Sequence, residues 1–263
     1  MGFRDLLSFL TTLPIGGGGS LEGAAEAFPL APLAGGVVGL MAGLAGAAAG
    51  ILWGPIVAGV FYSAAYILLT GGLHLDGYAD VEDTLGSGLT GGEALRVLKD
   101  PRRGSHALVM VAFNLLLSTG AAAAIYTDAG PLGLALAATI THAASGASML
   151  LLARRAEPPP YRGLSTLFHR AARAPRALAK ALAALAATEA AALAAAAASA
   201  SWGSLAAALA PLTAPSIGVA LGLRGPVRVL GFANGDVMGY TYEATRLTGL
   251  LAAALAAAAL HPA

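Results

Sequence analysis

The chain contains no cysteine. Disulfides, thiolate metal sites and cysteine nucleophiles are therefore excluded. Charge is also scarce, at 11% of 263 residues, and the formal net charge is only +1. That net value says little by itself, because in such a chain the position of each charge matters more than the sum; no nucleic-acid partner is expected. Apolar residues are abundant instead, at 57% with a mean hydropathy of +0.73, and they come in long runs rather than alternating with polar ones. A membrane span needs about 20 apolar residues, and in lipid an open sheet would leave backbone groups unsatisfied, so such runs read as helices. The expected fold is all-α: a polytopic integral membrane helix bundle, one domain over residues 1–263, of about seven transmembrane helices plus an N-terminal interfacial helix.

The interfacial helix is read from Phe3, Leu6, Leu7, Leu10 and Leu13, which share one helical face. Residues 1–14 do not read as a cleaved signal, since the apolar stretch is short and no small-x-small site follows. After a Gly-rich loop at 16–19, apolar runs cover 33–52, a second run reaching Leu73, then 106–127, 132–153, 181–201, 205–223 and 237–260. Glycines 35, 39 and 43 form a small-residue stripe suited to close helix packing, within one chain or in a homo-oligomer. Kinks are expected at Pro211 and Pro215. With seven spans, the polar stretches 74–104, 154–180 and 224–236 fall on one side and hold thirteen of the fifteen Lys and Arg residues. The positive-inside rule makes that side cytoplasmic.

Four carboxylates, Asp76, Asp80, Glu82 and Asp83, crowd into eight residues of this charge-poor chain. Asp76, Asp80 and Asp83 are spaced i, i+4, i+7 and share a helical face without interleaved lysines. Oxygen-only ligands select Mg²⁺ or Mn²⁺. His74 reads equally as a ligand, a phosphate donor or an interfacial packing residue. Arg96, Lys99, Asp100, Arg102 and Arg103 follow with opposite sign, and carboxylates with a cation beside Lys and Arg suit a diphosphate. Asn234, Asp236 and Glu243 form a third polar group at the start of the last helix, where Asn234 can cap the helix or bind substrate.

Together the segments His74-Leu75-Asp76-Gly77-x-Ala79-Asp80-x-x-Asp83, Lys99-Asp100-x-Arg102-x-Gly104 and Gly235-Asp236-x-x-Gly239-x-x-x-Glu243 resemble the cobalamin synthase family, the adenosylcobinamide-GDP ribazoletransferases. The N-terminal Phe9-Leu10-Thr11-Thr12-Leu13-Pro14 is similar too; Thr12 and Pro101 stand where the family often has Arg and Ser. The resemblance implies transfer of cobinamide phosphate from adenosylcobinamide-GDP to α-ribazole or its 5′-phosphate, with release of GMP. It implies Mg²⁺ on Asp76, Asp80 and Asp83, substrate contacts from His74, Lys99, Asp100, Arg102, Asn234 and Glu243, and Asp80 or Asp236 as the acid that handles the ribose hydroxyl. Such an enzyme would sit in the cell membrane with its site on the cytoplasmic side.

Two other readings are weaker. A CDP-alcohol phosphotransferase would show Asp-Gly-x-x-Ala-Arg, whereas here Ala79 comes one residue early and Asp80 follows it. A cation-coupled transporter would place acids at mid-membrane, where only Glu189 is a candidate.

Overall fold

The computed structural model describes residues 2–15, 19–102, 104–199 and 201–260; most of the Gly-rich loop, at 16–18, and Arg103 lie outside the described residues. Every regular element among the described residues is helical. In chain order the α-helices are α1 (Gly2–Leu10), α2 (Leu21–Glu26), α3 (Ala31–Trp53), α4 (Pro55–Thr70), α5 (Leu73–Gly86), α6 (Gly91–Leu98), α7 (Ser105–Arg155), α8 (Leu164–Arg173), α9 (Ala177–Ala198), α10 (Trp202–Leu209), α11 (Ala214–Gly222), α12 (Arg228–Leu230) and α13 (Gly235–Ala259), with short 3₁₀ or π turns at Phe28–Leu30, Ala210–Thr213 and Leu223–Val227.

Among the described residues, four stretches are long and apolar enough to cross a membrane, namely Phe28–Trp53, Ser105–Arg155, Ala177–Ala198 and Gly203–Leu230, and the bent pair α4 and α5 makes a fifth if taken as one. The 51-residue α7 is not one rod. Gly130 adopts φ 72° and ψ −176°, with Pro131 next. Asn114 and His142 would stand about 42 Å apart on a continuous helix. Yet Arg246 donates to Asn114 Oδ1, and His142 Nδ1 hydrogen-bonds the Tyr242 hydroxyl at 2.7 Å, one turn away on α13. The helix therefore doubles back at Gly130, and its two arms contain the expected runs 106–127 and 132–153. Near the sixth run, a 3₁₀ turn at Ala210–Thr213 containing Pro211 separates α10 from α11, and Pro215 lies within the first turn of α11. The glycine stripe of α3 lies against the second arm of α7, with Gly35, Gly39 and Gly43 facing backbone atoms of residues 135–142.

Three features add to the sequence-based expectation. The acidic stretch does not continue the second span: α4 stops at Thr70, and α5 leaves it at 94°. Gly71 and Gly72 at φ 60° and 72° make this turn, a left-handed pair that residues with a Cβ adopt at a cost. Thr12 secures the end of α4, its amide donating to Leu69 O at 2.8 Å and its hydroxyl to Leu68 O at 2.7 Å. Second, α1 turns Leu6 and Leu10 into the protein core. Third, Glu189 sits half-buried on α9, outside the polar clusters described below.

The acidic helix α5 is seated on α13. A Cβ at Gly77 would lie 2.8 Å from Asp236 Cα, and one at Gly239 would lie 3.0 Å from the His74 carbonyl oxygen. Backbone meets backbone at this crossing, so a side chain on either glycine must push the helices apart. Gly77→Ala is expected to destabilise the protein by about 1–3 kcal/mol, read as a lower unfolding midpoint in detergent. Gly92→Ala, where an added Cβ meets nothing within 4 Å, should leave the midpoint unchanged or raise it.

Candidate functional site

The crossing of α5 and α13 borders a cavity of about 410 Å³. Its polar wall consists of His74 and Asp76 from α5 and Asn234 and Asp236 from the start of α13. Its apolar walls come from α1, α8 and the second arm of α7, through Phe9, Phe168 and Met149, and from Met238 on α13. Tyr161, in the loop after Pro158 to Pro160, closes one side and packs edge-on against Phe232 at 5.8 Å. Lys99 Nζ lies 4.0 Å above the Tyr161 ring, which brings the second charged segment to the edge of the same cavity.

Asn234 is the N-cap of α13, its Oδ1 accepting from Val237 N at 3.1 Å. Its Nδ2 donates to Asp236 Oδ2 at 2.8 Å. One side chain thus both starts the helix and aims the carboxylate beside it. His169 braces the turn just before Asn234: burial holds its pKa below the usual histidine value, and its Nε2 bonds the Ala233 carbonyl at 2.8 Å. The loop arginines brace this region as well, Arg154 donating to Ala172 O and Arg173 to Ala156 O.

The remaining candidates occupy other places. Both oxygens of Asp83 accept backbone hydrogen bonds, from Gly104 N at 2.6 Å and Ala107 N at 2.8 Å. It satisfies amides at the start of α7, where helix polarity also favours a negative charge. Glu82 is buried, with His106 Nε2 at 3.5 Å. Asp100 and Arg102 pair with each other, Nε to Oδ1 at 3.0 Å and Nη2 to Oδ2 at 2.7 Å. The Arg102 hydrogen bond holds the Asp100 carboxyl down at about 2, so this solvent-facing pair stays ionised across physiological pH.

Glu243, seven residues beyond Asp236, lies about 10 Å deeper along α13. It is fully buried, accepting from the Tyr66 hydroxyl and from Arg246 Nε and Nη2 at 2.9 and 2.7 Å. Glu243 therefore anchors the helix instead of lining the cavity. Arg246 is fully buried as well, its guanidinium 4.6 Å from the centre of the Tyr66 ring. Tyr62, His142 and Tyr242 continue the network, and His74 stacks on Tyr242 at 4.0 Å.

The sequence offered little sign of Tyr161, Phe168 or Met149, because aromatic and thioether side chains in or near apolar segments read as ordinary packing. Among the described residues, no group of three or more His, Asp or Glu side chains is placed to hold a metal ion. Of the expected set Asp76, Asp80 and Asp83, Asp83 is taken up by the amides of Gly104 and Ala107, two turns along the helix from Asp76.

Two of the motif segments, on α5 and α13, meet on one wall, and Lys99 of the third reaches the edge of the cavity over Tyr161. The cobalamin-5-phosphate synthase family profile matches residues 2–254. The chain belongs to that family. Similar proteins include two named adenosylcobinamide-GDP ribazoletransferase, from Sinorhizobium medicae and Bradyrhizobium diazoefficiens, each 30% identical over 261 residues. Those alignments cover 95% of this chain and 94% and 92% of the relatives. A Clostridioides difficile protein of the same name is 34% identical over 119 residues, which is 46% of its length. No solved structure matches the chain.

If Asp83 serves the helix, Asp83→Asn should cost about 1 kcal/mol of stability, while the divalent-cation dependence of activity stays as in the wild type. A raised cation requirement in that variant would return Asp83 to the metal set.

Proposed function

We propose that this chain is an integral membrane enzyme that transfers adenosylcobinamide phosphate from adenosylcobinamide-GDP to α-ribazole or its 5′-phosphate, forming adenosylcobalamin or its 5′-phosphate. A ribose hydroxyl oxygen of the acceptor forms the new bond to the cobinamide-bearing phosphorus, the phosphoanhydride bond breaks, and GMP departs. What carries this reading is the shared cavity, where Asp76 of α5, Asn234 and Asp236 of α13, and Lys99 over Tyr161 meet.

The donor set fits a hard divalent cation, Mg²⁺ or Mn²⁺. Such ions keep several waters and take one or two protein carboxylates together with substrate phosphate oxygens, and the cavity wall supplies Asp76 and Asp236, with Asp80 one turn beyond Asp76. The ion, when bound, would neutralise charge on the diphosphate. Asp236, oriented by Asn234, takes the proton of the attacking hydroxyl, or Asp80 does so. Lys99 balances charge on the departing phosphate. The Asp100–Arg102 pair shapes the turn behind Lys99. The polar side of the bundle, with most Lys and Arg, faces the cytoplasm, in the cell membrane.

Purified protein in liposomes, given adenosylcobinamide-GDP, α-ribazole and Mg²⁺, should form a cobamide and GMP; absence of both products with every divalent cation would overturn the assignment. Asp76→Asn and Asp236→Asn are each expected to lower kcat by about 10²-fold or more. Orientation has its own measurement, since the chain is naturally cysteine-free. Arg96→Cys, at an exposed position on α6, should react with a membrane-impermeant maleimide only in inverted vesicles or permeabilised cells. Labelling of intact cells would reverse the topology.

A further inference from the structure

We infer that the cavity between α1, α8 and α13 is the seat of the acceptor's aromatic base, and that Asp76 marks where base-side and phosphate-side binding meet. This rests on the transferase reading above and divides its substrates in space.

Size removes the first candidate. A corrin ring with its amide side chains far exceeds about 410 Å³, a volume within the ordinary range for a pocket that encloses a small ligand. Three bicyclic aromatic groups remain: guanine, the adenine of the donor's adenosyl ligand, which rides on the excluded corrin and carries its own amino donor, and the dimethylbenzimidazole of α-ribazole. Guanine carries a polar edge of donors and an acceptor, and burying that edge without partners is costly. Away from the α5–α13 wall, the cavity presents Phe9, Leu10, Phe28, Leu164, Phe168 and Met149, and its only hydroxyls there among the described residues, Tyr161 and Ser165, are fewer than the polar atoms of a guanine edge. The three phenylalanines form one cluster, with ring centres 5.3 Å apart for Phe9 and Phe168 and 5.0 Å for Phe28 and Phe168. Dimethylbenzimidazole has an apolar edge with two methyl groups and no exocyclic donors, so it matches these walls, and the two thioethers of Met149 and Met238 suit contact with an aromatic ring.

The polar groups are placed for the rest of the nucleoside. A base seated among the phenylalanines directs its ribose to the wall bearing Asp76, Asn234 and Asp236. Across Asp76 lies a second, wider cavity of about 680 Å³, bordered by Thr11, Thr12, Thr70 and Ala107. Asp76 lines both. The wider space has room for the guanosine diphosphate arm of the donor, its corrin remaining outside, so the two substrates approach the carboxylate from different cavities.

The test uses full-length protein in liposomes, with equilibrium binding of α-ribazole measured by its benzimidazole fluorescence alongside initial rates. Phe168→Leu and Met149→Trp, which loosen and fill the cavity, should raise Kd and KM for α-ribazole by about tenfold, while KM for adenosylcobinamide-GDP stays unchanged. In the wild type, free dimethylbenzimidazole should compete with α-ribazole alone and GMP with adenosylcobinamide-GDP alone; this pair decides the matter if a variant fails to fold. Variants that raise KM for the donor instead, or competition of GMP against α-ribazole, would overturn the assignment. If α-ribazole binds with the expected variant dependence but no cobamide forms, the transferase reading fails and the base site stands. Product formation with α-ribazole binding untouched by the variants has the opposite meaning.

Discussion

Where α5 crosses α13, neither helix has room for a side chain. Gly77 rests on the backbone of Asp236 and Gly239 on that of His74, so the two acidic motifs of the chain are held together by main-chain contact. The cavity's polar wall depends on this approach, since larger residues would separate Asp76 from Asp236. Their nearness has an electrostatic cost in an otherwise apolar bundle, because like charges repel more strongly where solvent is excluded. A cation, a lysine such as Lys99, or a proton relieves that repulsion. On α13, Asp236 already accepts a hydrogen bond from Asn234 Nδ2 at 2.8 Å.

The crossing is in turn supported from both ends. On the α5 side, the paired glycines at 71 and 72 turn the chain through 94°, and Thr12 ties α1 to the last carbonyls of α4. On the α13 side, the fully buried Glu243 and Arg246 bind each other, Tyr66 and Asn114, and so set the rotation of α13 about its axis. Removing one partner of such a pair leaves a buried charge uncompensated, commonly at a cost of about 3–5 kcal/mol. That penalty acts against any rotation that would carry Asp236 away from the cavity.

The charged side chains between α5 and α7 illustrate how one composition serves several purposes. Of four carboxylates in eight residues, Asp76 faces the cavity, Glu82 turns inward to His106, and Asp83 completes the start of α7. Asp100 and Arg102 close their own turn, leaving Lys99 to reach Tyr161. Helical spacing places residues on a face, but each neighbour then decides what that residue does.

Hydropathy alone determined the helical class and the approximate position of the apolar segments, because a run of some 20 apolar residues has few other stable forms in lipid. The order of the three motifs likewise pointed to the family, and the Asn234 cap was readable from local geometry. The perpendicular course of α5, the fold-back of α7 and the burial of Glu243 were decided only in three dimensions. Asp76, Asp83, Asp236 and Glu243 look equivalent as carboxylates in a string of letters. They differ in their neighbours: Asp76 lines a cavity, Asp83 meets the start of α7 at Ala107, Asp236 is held by Asn234 two residues before it, and Glu243 is buried between Arg246 of its own helix and Tyr66 of the distant α4.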